Sequence, residues 1–156
     1  MTSTTLVRSA TKRRLRDLLE SASELSGVDV SYGPPRNPTA GAVVAFGDTL
    51  GELTVAAMRA GRVPYDDRFV VEIIVGAFEP GDSDHELVDR RAEELAEAVR
   101  SIVADRPTLA LIDGGDGLDG IVAAVVEDLD GPTPWRTPDG VGAACRVFVA
   151  VHARIT

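Results

Sequence analysis

Few residues in this sequence could do chemistry. Asp84-His85-Glu86 sets a histidine between two carboxylates, the residue types of general acid–base catalysis and of metal ligation. No HExxH spacing follows, and His152 is the only other histidine. His85 therefore reads as a solvated neighbour of a helix cap. His152 shares a strand face with Phe148 and Ala150, which points to a packed side chain or a contact with a partner chain. Cys145 alternates with valines and is expected to be a buried, inert thiol. One Cys and two His give neither a disulfide framework nor a zinc site within one chain. Nucleophilic catalysis needs a Ser or Cys held against a base, and nothing nominates one. There is no Walker loop and no dinucleotide fingerprint. The expectation is a non-enzymatic chain without a cofactor.

Gly114-Gly115-Asp116-Gly117-Leu118-Asp119-Gly120-Ile121 matches one unit of the Gly/Asp calcium-binding nonapeptide. Such units bind calcium between stacked turns, so a single copy reads as a tight turn with glycines at positive φ. Its carboxylates, Asp113, Asp116 and Asp119, could still hold a weak adventitious cation.

Charge and aromatic placement are more telling. Lys12-Arg13-Arg14, with Arg8 and Arg16, forms a basic cluster. It is either a solvated helix face or a subunit contact, pairing with the acidic Glu93, Glu94 and Glu97 of a neighbouring copy. Trp135, the only tryptophan, sits in a proline-stiffened stretch. Either it folds back on a sheet edge or it anchors a partner. Tyr65, after the exposed turn holding Arg62 and close to Arg59, is weighed the same way.

Of 156 residues, 44% are hydrophobic, 26% charged and only 4% aromatic. That is an ordinary globular balance with an aliphatic core. The length suits one domain, residues 1–156, able to bury a core without a disulfide or a metal. The formal charge of −9 argues against general nucleic-acid binding, which relies on Lys and Arg at phosphates. Residues 1–40 carry six basic and four acidic side chains, so the remainder holds −11. This split suits contacts between copies. No apolar run approaches 18 residues and the start has no signal-peptide core, so neither a membrane span nor secretion is expected. Lys12 is the only lysine among 16 basic residues, a bias of GC-rich genomes.

The elements that would position these residues follow from periodicity. Leu6 to Ser26 reads as a helix with an apolar stripe of Leu15, Leu18, Leu19, Ala22 and Leu25, stopped at Gly27. Val28–Tyr32 and Ala42–Phe46 read as strands around a proline-rich turn. The stretch Asp48–Asp67 is undecided between strand and helix. Arg68–Phe78 is a strand with Phe69, Val71, Ile73 and Val75 on one face. Ser83 and Glu86 are spaced as a capping box for a second helix with a stripe of Val88, Ala92, Leu95, Val99 and Ile102. Ile121–Glu127 reads as a strand, Asp128–Gly142 as a long loop, and Ala144–Ile155 as a final alternating strand. The fold class is α+β: a mainly antiparallel sheet of four to five strands with two helices packed on one face, in the order α-β-β-β-α-β-β.

This order, with the basic opening helix, the strand ending in Tyr-Gly-Pro-Pro, the exposed Gly-Arg-x-Pro loop, the strand Phe69–Val75 and the capped acidic helix, resembles the tail terminator (minor tail, tail-completion) proteins of long-tailed actinobacterial phages. The resemblance implies a non-enzymatic virion protein at the head-proximal end of the tail, assembled in the host cytoplasm. It would form a ring, usually of six copies, that caps the tail tube, stops its polymerisation and joins the neck. The implied partners are other copies of itself, the tail-tube protein and neck or head–tail connector proteins. Phage DNA would pass through the channel without specific binding. The alternatives are another head-closure or neck component, and a non-viral small α+β ligand-binding regulatory domain.

Overall fold

The computed structural model describes residues 5–35, 37, 41–57, 61, 63–81, 84–112 and 114–156. Its elements are α1 (Arg8–Ser21), a 3-10 turn (Ser23–Leu25), β1 (Asp29–Ser31), β2 (Ala42–Val55), β3 (Tyr65–Pro80), α2 (His85–Ala104), β4 (Ile121–Thr137) and β5 (Gly140–Ile155). The five strands form one sheet in the order β1-β2-β3-β5-β4. Only β1 runs parallel to its neighbour; the other three pairings are antiparallel. The α+β reading and the element order hold.

β3 and β5 make the centre and pair along their whole length, from Tyr65↔Ile155 to Pro80↔Gly140. Their odd-numbered residues point to one face. Phe69, Val71, Ile73 and Val75 from β3 and Val147, Val149 and Val151 from β5 enter one buried cluster. Leu15, Leu18 and Leu19 of α1 and Val88, Ala92, Val99 and Val103 of α2 belong to the same cluster. Both helices therefore cover the same face, because their apolar stripes have nowhere else to be buried. No described helix covers the opposite, open face. Across its middle, Leu50, Val70, Ala150 and Val125 fall in register on four strands.

Several boundaries differ from expectation, each for a local reason. The first helix ends at Ser21, because Ala22 turns to an extended conformation with ψ 132°. Leu25 still reaches the core through the 3-10 turn, and Gly27 has φ 81° as the stop signal requires. The cap of α2 is Asp84, whose carboxylate accepts from the Glu86 amide at 3.0 Å. The N-cap is therefore one residue later than Ser83, which lies outside the described residues, and because N3 is then Leu87 the cap is a single Asp–amide bond and not a reciprocal box. Leu95 is only partly buried, and Ala96 and Val103 complete the stripe.

The undecided stretch Asp48–Asp67 is mostly strand. β2 continues through a bulge between Phe46 and Thr49 to Val55, and β3 begins at Tyr65. The expected loop Asp128–Gly142 is also mostly strand, since β4 runs on to Thr137 and turns directly into β5. Pro132 and Pro134 are compatible with it because β4 is an edge strand, where a missing N–H breaks no ladder on the open side. Register shifts at three places, the last between Asp130 and Thr133, absorb the irregularity.

Candidate functional site

The basic cluster of α1 works mainly within the chain. Arg8 donates to both oxygens of Asp67, Nε to Oδ2 at 2.9 Å and Nη2 to Oδ1 at 2.7 Å. Asp67 is fully buried, and such a carboxylate requires a partner of this kind. The hydrogen bond to Asp67 raises the Arg8 pKa in spite of partial desolvation. Lys12 places its ammonium 4.4 Å from the centre of the Tyr32 ring. Arg14 donates to the carbonyl of Leu109 at 2.9 Å. Leu109 is buried and holds φ 59°, a conformation that non-glycine residues adopt only when their surroundings fix it. Arg16 pairs with its neighbour Asp17 at 2.8 Å. Of the five, Arg13 alone is exposed.

Glu93, Glu94 and Glu97 are exposed on α2. The surface is not uniformly acidic, because arginines are interleaved with it. Glu97 holds Arg100 through both oxygens, and that contact keeps the Glu97 carboxyl below its usual range. Arg90 lies 3.4 Å from Glu86, and Arg91 lies 2.7 Å from Glu79. Behind this helix, burial pushes the Cys145 thiol pKa up, with Glu93, Asp89 and Asp130 adding to the effect. A thiol so placed is a poor nucleophile.

Trp135 is half-buried and stacks on Phe78, with ring centroids 5.4 Å apart and planes 15° from parallel. It lies over Gly142, where a Cβ would come within 2.1 Å of the indole. Of the two readings, the one in which Trp135 folds back on the sheet is observed. Tyr65 is half-buried at the start of β3, between Val55 and Ile155. Arg59 and Arg62 lie outside the described residues, as does Asp113. Gly114 and Gly120 have φ 87° and 90°, consistent with a tight turn. His85, at the start of α2, is half-buried with Nε2 3.2 Å from an Arg136 nitrogen.

One cluster was not foreseen. On the open face, Asp66 Oδ1 lies 2.8 Å from His152 Nε2 and 2.8 Å from Arg154 Nε. His152, followed by Arg154, holds the Asp66 carboxyl below its usual range. Adjacent residues of a strand face opposite ways, so Asp66 and Asp67 feed two separate ion pairs on the two faces. The Asp-Asp pair at a strand start was visible in the sequence, but its partners, 59 to 88 residues away, were not.

Beside this cluster the open face forms a groove of about 580 Å³. Leu50, Val70, Val125 and Ala150 supply its apolar floor, with Glu52, Arg68, His152 and Glu127 around it. β2 extends beyond the cover of the helices here. Leu50 projects on the open face, while Leu53 and Val55 project on the other, and all three are exposed.

No protein-family profile and no curated protein matches this chain. Among solved structures, it is similar to a chain of the virion of a native gene transfer agent particle. The identity is 15%, the TM-score 0.54, and the likeness covers 96% of this chain and 99% of the other. At that identity the two share a fold from end to end.

Proposed function

We propose that this chain is a structural protein of a phage-like virion, and within it a tail terminator that caps the head-proximal end of the tail tube as a ring. One observation carries this reading: the end-to-end likeness to a chain of a gene transfer agent virion. Three features support it. His152, which looked chemical in the sequence, is used in an ion pair that ties β5 to β3, as Arg8 ties α1 to β3, which suits a scaffold. Among the described residues, one face of the sheet, the outer side of distal β2 and the outer side of β4 beyond Ala124 carry no covering element, so the fold has surfaces left for neighbours. The net charge of −9 suits a channel wall that lets DNA pass without gripping it.

In this reading the partners are other copies of the chain, the tail-tube protein and a neck or connector protein. The test is the native mass of the purified protein, alone and with tail-tube protein, with particles imaged on tube ends. Six-fold rings, or monomers that close into rings on tube ends, are expected. A stable dimer indifferent to tube protein would remove the terminator reading and favour a small ligand-binding domain.

A further inference from the structure

Nine large apolar side chains are exposed among the described residues, and six of them lie on two strands. Leu50, Leu53 and Val55 are on the distal part of β2, with Leu50 73% exposed; Val122, Val125 and Leu129 are on β4, with Val125 54% exposed. These strands form opposite sides of the sheet over this stretch, because β1 pairs with β2 only at Val43, Val44 and Ala45. From Thr49 to Val55, β2 pairs without interruption on its inner side and has no described strand on its outer side. It contains no proline there. Proteins blunt such an edge with proline, bulges or charge, or else they cover it. An arm with apolar side chains on both faces has the pattern of a covered strand.

We infer that the distal part of β2 in one copy lies along β4 in the next, a head-to-tail contact joining two different surfaces of the same chain. This rests on the ring reading above and deepens it. A ring needs two unlike, complementary patches on each copy, and they are supplied by the distal part of β2 and by β4 beyond Ala124, whose own amide is held by the Pro107 carbonyl. Charge favours the same occupant. Between Ile121 and Asp130, β4 carries no basic residue and, outside the Asp130–Arg146 ion pair, the carboxylates Glu127 and Asp128. Residues 48–71, the part of the β2–β3 hairpin beyond the bulge, carry in sequence Arg59, Arg62 and Arg68, the first two outside the described residues, against Asp48 and Glu52 as carboxylates outside the Asp66 and Asp67 ion pairs.

The test uses two full-length variants, each damaged on one side: Leu50→Asp with Leu53→Asp on the arm, and Val125→Asp with Leu129→Asp on β4. All four positions are exposed, so far-UV circular dichroism and the thermal midpoint should stay close to wild type. Each variant alone should lose ring assembly at concentrations where wild type is fully assembled. Their equimolar mixture should stop at a two-copy complex, because only one intact half-contact can form between them. If wild type forms rings and the arm variant does too, this contact is wrong while the ring reading stands. An arm variant that forms rings but no longer seats on tube ends would assign the arm to the tube protein and overturn the inference. A wild type that stays monomeric at high concentration and on tube ends would overturn both.

Discussion

Arg8 and Asp67 show what one pair of residues can decide. The carboxylate is fully buried and the guanidinium is about one-third exposed, so the two partners are not equivalent. Arg8→Ala leaves a charge in the core with no counter-charge, and should cost about 3 kcal/mol. Asp67→Ala leaves a guanidinium that can turn towards water, and should cost less. Chemical denaturation of the two variants checks the order, and equal losses would mean that the pair is worth only its packing. Asp66, on the other face, gives a pH effect of known sign. Its folded pKa is lowered, so its contribution is present above the unfolded value of about 3.9 and is lost as pH falls through the folded value. Asp66→Asn should therefore flatten the fall in the urea midpoint below about pH 4. An unchanged slope would place the acid sensitivity in other carboxylates. Neither ion pair could be named from sequence. The type and spacing of Asp66 and Asp67 were visible, but which strand would lie beside them is a property of the sheet.

At the scale of elements, periodicity read well wherever burial is one-sided. The stripes of α1 and α2 and the alternation of β5 each face a single core, so the chain repeats its apolar residues with the period of the element. It read poorly in β2 and β4. The distal part of β2 has apolar residues on both faces, which removes the alternation. β4 carries two prolines and three register shifts, the signs of a loop, and only its place at the sheet edge makes them compatible with a strand. Trp135 belongs to this strand rather than to a free anchor loop. Because it covers Phe78 and Gly142, Trp135→Ala should lower stability by about 2 kcal/mol, less than a fully buried tryptophan would. A thermal midpoint equal to wild type would return Trp135 to the role of a partner anchor.

At the scale of the molecule, the basic and acidic halves looked in the sequence like two sides of a subunit contact. The structure spends most of the first half internally: Arg8, Lys12 and Arg14 fasten α1 to β3, to Tyr32 and to the turn after α2. The uncovered surface lies elsewhere, on β2, β4 and the open face, and was hidden in stretches that read as ambiguous or as loop. The element order and its likeness to virion proteins were legible, because they depend on the succession of patterns and not on any single motif.

The strand order has one more consequence. β5, the fifth of the five strands in chain order, lies between β3 and β4, so one of the two central strands leaves the ribosome after every other strand of the sheet. Until it does, β3 has no neighbour on that side and α2 lacks part of its floor, so the apolar residues of the sheet and helices have no complete shared core. The central β3–β5 pairing, from Pro80↔Gly140 to Tyr65↔Ile155, joins distant parts of the sequence, which slows folding. A chain cut short before Gly140 would therefore be a substrate for chaperones and proteases, and an interrupted round of translation would yield no half-built subunit able to enter an assembly.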